Sequence, residues 1–210
     1  MTGDGMVRPA SPLRPEDPPV FAILRRRAPE VAAQIAVAIA RAGIPALELT
    51  IDSPGVLDLV RALRAQLPDT AIGVGTVLDP ADVDAAIAAG AQFVVSPNVD
   101  REVIAACTAA GIPALPGAAT PTEALQAWRA GASLVKLFPA SAGGPATLRA
   151  IREPLPMIPL VAVGGVDGAN ARAYLDAGAS AVGIGSWLTG AGSADEAAGR
   201  AAQLLAELRA

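Results

Sequence analysis

The 210-residue chain predicts an α/β fold that closes as a single compact (β/α)8 TIM barrel, and three observations carry this. Short β-like runs recur eight times, their starts roughly 20 to 25 residues apart, the length of a strand, two short loops and a helix of about three turns. Alanine-rich helical segments fill the gaps. Gly43, Gly90, Gly111, Gly131 and Gly178 each follow such a segment, as a helix-ending glycine does. An open doubly wound sheet is the alternative. Eight evenly spaced units with no break in order suit closure better.

In order, "VFAIL" (20–24) precedes a helix at 29–42, and "ALELT" (46–50) precedes one at 54–67. "AIGVG" (71–75) leads to Asp79-Pro80, a capping residue before a first-turn proline, and a helix at 80–89. "FVVSP" (93–97) is followed by a helix at 100–110, and "PALPG" (113–117) by Thr120-Pro121 and a helix at 121–130. "LVKLF" (134–138), "LVAVG" (160–164) and "AVGIG" (181–185) precede helices at 145–152, 168–177 and 193–209. The barrel domain is thus expected over 20–210. Residues 1–19, rich in Pro and Gly and without the apolar core of a secretory signal, are expected to be a disordered tail.

Composition narrows the chemistry. Apolar residues make up 52% and charged ones 17%, which fits a globular chain. Aromatics are 3%, so the core is expected to be Ala, Val, Leu and Ile. The net charge is −4 and no basic run exceeds "RRR" at 25–27, which argues against a nucleic-acid partner. No charge-free apolar stretch has the length of a membrane span, so no membrane partner is expected either. The single cysteine, Cys107, excludes an internal disulfide and makes the cytoplasm the default location. Histidine is absent. That removes a Ser-His-Asp triad, a histidine base and imidazole metal sites, so neither a metal nor a cofactor is expected.

Of the 16 Lys and Arg residues only Lys136 is lysine, and it sits inside the apolar run "SLVKLFPA". Arginine cannot give up its proton, whereas a desolvated lysine can. An ordinary lysine is neutral in about one molecule in two thousand at pH 7. Burial raises that fraction, and a neutral amine attacks a ketone to form a Schiff base. The protonated iminium then accepts the electron pair released by C–C cleavage. Strand alternation turns Val135 and Leu137 toward the helices and Leu134, Lys136 and Phe138 inward. In "ALELTI" it turns Leu47, Leu49 and Ile51 outward and Glu48 inward. Lys136 and Glu48 thereby share the interior near the C-terminal mouth, where sites in this fold lie, with Glu48 as the proton shuttle. The bland alternatives are a lysine snorkelling to water and a solvated glutamate.

Two glycine turns follow the seventh and eighth strands, "VGGVD" (163–167) and "GIGSW" (183–187). Gly164, Gly165, Gly185 and Ser186 offer backbone N–H groups to an anion, and this pair of loops commonly holds phosphate in such barrels. Alone, each would equally serve a tight turn. Thr76, in "GVGTVLDP", either holds a substrate carboxylate or caps a turn. Arg25 either pairs with the same carboxylate or belongs to a solvated arm.

Together "ALELT", "GVGTVLDP", "FVVSP", "PGAATPTEA", "LVKLFPA", "VGGV" and "GIGSWL" resemble the Schiff-base aldolases of 2-keto-3-deoxy-6-phosphogluconate (KDPG) and of its galactonate epimer (KDPGal). The resemblance runs from about residue 20 to the C-terminus. It implies a homotrimeric barrel that reversibly cleaves a phosphorylated keto acid to pyruvate and glyceraldehyde 3-phosphate. It makes Lys136 the Schiff-base residue and Glu48 the general acid/base. Thr76 becomes a carboxylate contact, Pro97 and Phe138 part of the substrate site, and the glycine turns the phosphate site. Asp52 stands where some KDPG aldolases carry an arginine, while Arg25 matches an arginine of other members. Val163 stands where many KDPG enzymes carry threonine, which leans toward the galacto substrate. Cleavage of 4-hydroxy-2-oxoglutarate, and a phosphate-binding isomerase or synthase barrel without imine chemistry, are the competing readings.

Overall fold

A computed structural model describes residues 8–209. Among these residues, nine parallel strands form one sheet: β1 (Val20–Leu24), β2 (Ala46–Thr50), β3 (Ala71–Gly75), β4 (Val94–Val95), β5 (Ala114–Leu115), β6 (Gly117–Ala118), β7 (Val135–Leu137), β8 (Leu160–Val163) and β9 (Ala181–Ile184). Their lateral order is β5-β4-β3-β2-β1-β9-β8-β7-β6. The two ends of that order are consecutive in the chain, separated only by Pro116. The predicted fifth strand is therefore present in two pieces. Proline has no N–H for the ladder. The segment instead accepts from both sides: Pro113 O from Val94 N (2.9 Å), and Pro116 O and Ala118 O from Lys136 N and Phe138 N (2.9 and 3.0 Å). This segment closes the barrel.

The helices are α1 (Pro29–Arg41), α2 (Val56–Gln66), α3 (Pro80–Ala88), α4 (Arg101–Ala109), α5 (Pro121–Arg129), α6 (Gly144–Arg152), α7 (Ala171–Asp176), α8 (Ser186–Thr189) and α9 (Ala194–Arg209). The caps expected from sequence form: Asp79 accepts from Ala81 N (2.8 Å) and Thr120 from Glu123 N (3.2 Å). All five expected helix-ending glycines have positive φ. Helix α7 starts later than its sequence predicts. Asp167 and Asn170 exchange side-chain to backbone bonds (3.0 and 3.1 Å), and that turn replaces the first helical turn. The four-residue α8 is an element the sequence reading did not separate.

Two apolar clusters divide the core at the sheet. The outer one, between strands and helices, is mostly aliphatic and includes Leu47, Leu49, Val135 and Leu137, with Tyr174 buried among them and Trp128 and Trp187 packed against it. The inner one fills the barrel with Phe21, Ile23, Phe93, Val95, Leu134, Val161 and Val163, and Phe138 packs against it. The aliphatic expectation thus describes most of the outer layer, which also takes in Tyr174, Trp128 and Trp187, while all 3 phenylalanines lie with the inner one. Glycines opposite make their room. A Cβ on Gly73 would lie 2.4 Å from the Phe93 ring, and one on Gly183 would lie 2.5 Å from Phe21.

Of the tail expected over 1–19, residues 1–7 lie outside the described residues. Residues 8–19 form no helix or strand and run against the barrel. Arg14 pairs with Asp17 at 3.0 Å, and Leu13 packs on the inner cluster. The Arg8 guanidinium lies 3.7 Å from the centre of the Trp128 ring.

Candidate active site

The alternation read from "ALELT" and "LVKLF" holds in space. Leu47 and Leu49 face the helices while Glu48 faces the interior; Val135 and Leu137 face outward while Lys136 faces inward. Both charged side chains are buried, Glu48 with 2% and Lys136 with 5% of its surface exposed. They line one cavity of about 300 Å³ with Ile23, Arg25, Phe138 and Val163. Its other side is formed by Gly164, Gly165, Val166, Gly183, Gly185 and Ser186.

Burial lowers the Lys136 pKa below the ordinary lysine range; the Glu48 carboxylate pulls it back up, and the Arg25 guanidinium presses it down. Burial likewise raises Glu48 above the ordinary carboxylate range, against the pull of Lys136 and Arg25. The two shifts oppose each other in sign and favour a neutral amine beside a protonated carboxyl. The Lys136 ammonium position lies 4.8 Å from the centre of the Phe138 ring. Glu48 Oε2 is buried without a hydrogen-bond partner, so the group has a free acceptor or donor to offer a ligand. Its room comes from Gly75: a Cβ there would lie 1.9 Å from Glu48 Oε1.

The glycine turns form the opposite wall. Gly164 and Gly165 have φ of +91° and +78°, and side chains there would crowd Phe138 at 3.1 Å and Ser141 at 2.5 Å. Asn170 Nδ2 donates to Gly165 O (2.9 Å), which ties this turn to the start of α7. Gly185 and Ser186 stand where β9 gives way to α8. Thr189 Oγ1, buried at the other end of α8, donates to Ile23 O (2.7 Å) and binds that helix to β1.

Thr76 and Pro97 are not in the cavity lining. Thr76 reaches it through Arg25, whose Nη2 donates to Thr76 Oγ1 at 2.9 Å. Pro97 presents its carbonyl to Gly117, where a Cβ would lie 2.3 Å from that oxygen. The three arginines of "RRR" have separate partners: beside the Arg25–Thr76 bond, Arg26 Nε donates to Asp52 Oδ2 (2.7 Å) and Arg27 Nη2 to Thr189 O (3.0 Å). The sequence reading missed Ile23, Val166 and Gly183 in the lining. Ile23 was legible, because it shares the inward parity of Arg25 two residues on. Gly183 is set by its clash with Phe21, which no local pattern shows.

A family model for the KDPG and KHG aldolases matches residues 14–201. The 2-dehydro-3-deoxy-6-phosphogalactonate aldolase of Escherichia coli K12 is 41% identical over 180 residues, 85% of this chain and 88% of that one. A solved native KDPGal structure superposes with a TM-score of 0.87 at 40% identity, covering 91% of this chain and 94% of that one. A KDPG aldolase from Legionella pneumophila, solved with pyruvate captured at low pH as a covalent carbinolamine intermediate, superposes at 0.77 and 31% identity, covering 90% and 92%. Among the described residues, no helix is long and apolar enough to cross a membrane. With a buried amine and carboxyl at the mouth of a parallel barrel, and with this extent of likeness, the chain belongs to the KDPG and KHG aldolase family.

Proposed function

We propose that this protein is a class I aldolase that reversibly cleaves a 2-keto-3-deoxy-6-phospho sugar acid to pyruvate and glyceraldehyde 3-phosphate. The observation that carries the reading is the buried Lys136–Glu48 pair in one cavity, shifted toward neutral amine and protonated acid. The neutral Lys136 nitrogen attacks the C2 ketone. Glu48 donates its proton to the resulting hydroxyl, which leaves as water, and the iminium forms. Glu48, now a carboxylate, takes the proton of the C4 hydroxyl. The C3–C4 bond breaks, its electron pair passes into the enamine, and glyceraldehyde 3-phosphate departs. Protonation at C3 and hydrolysis of the imine release pyruvate and restore Lys136.

Arg25, held by Thr76, is assigned to the carboxylate, since a guanidinium and a carboxylate make charge-assisted bonds. Gly164, Gly165, Gly185 and Ser186 are assigned to the phosphate, which favours the phosphorylated sugar acid over 4-hydroxy-2-oxoglutarate. Phe138 and Pro97 shape the site. Val163, buried in the lining, presents methyl groups where a hydroxyl would read the C4 configuration, and this supports the galacto epimer. The enzyme is proposed to act as a cytoplasmic homotrimer; Leu78, 55% exposed, is the kind of side chain a subunit contact covers.

Steady-state cleavage of the two epimers side by side tests the substrate. The reading expects the higher kcat/KM with phosphogalactonate. Cleavage of neither epimer would remove it.

A further inference from the structure

Among the described residues, Arg26 (φ +50°) and Thr76 (φ +61°) are the two non-glycine residues with left-handed backbones. Both attach to Arg25: Arg26 follows it in the chain, and Thr76 accepts its guanidinium. An L-residue in this region crowds its own Cβ, and such a conformation persists only where the surroundings impose it. At Arg26 the surroundings are visible. Its N–H donates to Ser53 Oγ at 2.8 Å and its Nε to Asp52 Oδ2 at 2.7 Å. Ser53 Oγ is itself 3.1 Å from Thr50 Oγ1, at the end of β2.

The consequence is directional. Residues 25 and 27 of an extended strand would point to one face. With the left-handed residue between them, Arg25 reaches Thr76 beyond β3 and Arg27 reaches Thr189 O on the far flank of β1. The side chain of Arg26 is 71% exposed. Its ion pair with Asp52 therefore contributes little as a charge pair, and the clamp acts through conformation.

We infer that Asp52 and Ser53 are positioning residues: they hold Arg26 left-handed and so fix Arg25 over the cavity, where it receives the substrate carboxylate. The inference rests on the assignment of Arg25 to the carboxylate. It makes the β2–α2 turn, which does not line the cavity, a determinant of keto-acid affinity.

The test is a rescue. In aldol addition to glyceraldehyde 3-phosphate, the pair variant Asp52→Ala/Ser53→Ala raises the KM for pyruvate about tenfold, the scale of one left-handed residue's cost. Its kcat stays within about twofold. Ser53→Ala alone raises KM about threefold, as half of the clamp. Glycine adopts the left-handed region freely, so adding Arg26→Gly to the pair variant returns KM to within about twofold of wild type. A purely electrostatic role for Asp52 would not respond to that glycine. An unchanged KM in the pair variant, or no recovery with glycine, overturns the inference. Arg25→Gln separates the two levels. If it leaves the pyruvate KM unchanged, the carboxylate assignment fails; if it raises KM while the clamp variants do not, the clamp fails.

Discussion

Val135 and Lys136 are chain neighbours with opposite tasks. Val135 is fully buried in the apolar layer between sheet and helices. Lys136 is buried as well, but in the barrel interior, beside a carboxyl and under a phenyl ring. Leu47 and Glu48 repeat the pattern on β2. The outer face of the sheet stores stability in apolar contacts. The inner face near the C-terminal mouth carries ionisable groups whose burial works against stability and tunes reactivity. One step along a strand decides which property a substitution damages.

The largest effect belongs to the inner face. Lys136→Met removes the proposed nucleophile and is expected to lower kcat/KM at least about 10⁴-fold. The folded state should be as stable as wild type or more so, because the buried amine is gone and Glu48 stays protonated instead of becoming an unpaired charge. A calorimetric scan beside an assay checks both halves. A large loss of stability would break the contrast.

Glu48→Gln keeps the shape and removes the titrating proton. Cleavage, and proton exchange at the pyruvate methyl followed by NMR, should fall by about 10²-fold or more. Near-normal exchange would remove Glu48 from the proton path. Its outer-face neighbour should do the reverse. Leu47→Ala is expected to cost about 2–5 kcal/mol in denaturant unfolding, while kcat per folded molecule stays close to wild type. A variant that remained stable yet lost activity would break the division between faces.

The smallest effect is a pH trend. The Lys136 pKa is lowered by burial from 10.5, so between its folded and unfolded values the unfolded chain binds a proton that the folded chain does not. Stability therefore rises with pH through that window. Lys136→Met lacks this term. Its Tm advantage over wild type should be largest at the acid side of the window and narrow as the pH approaches 10.5. Glu48, raised by burial, has the opposite sign: its folded form keeps a proton that the unfolded form has lost, so stability falls as pH rises above the ordinary carboxylate pKa. The Tm advantage of Glu48→Gln should widen in that direction. A pH-independent difference for either variant would blunt the contrast.

Much of this was legible in the chain. Period-two alternation placed Glu48 and Lys136 inward, and capping residues marked the helices, because both are local rules. The split at Pro116 was legible in part, since a proline inside a strand signals a missing donor, though not which neighbour each half would pair with. The destinations of Arg25, Arg26 and Arg27 were not legible. They follow from one backbone angle, imposed by Ser53 and Asp52 from another unit of the barrel. Phe21 and Phe93 in the interior likewise depend on glycines across the sheet, a pairing that single-strand patterns do not carry.

The central claim is that Lys136 works as a neutral nucleophile. Borohydride reduction in the presence of pyruvate, followed by intact-mass and peptide mapping, tests it most directly. Lys136 is the sole lysine, so the N-terminal amine is the only competing primary amine. The account predicts one reduced pyruvate unit per chain, in the peptide containing "SLVKLFPA", with parallel loss of activity. Lys136→Arg should neither trap pyruvate nor cleave substrate, since a guanidinium stays protonated. Trapping that persists in the arginine variant, or full activity without trapping in the wild type, would contradict the imine mechanism.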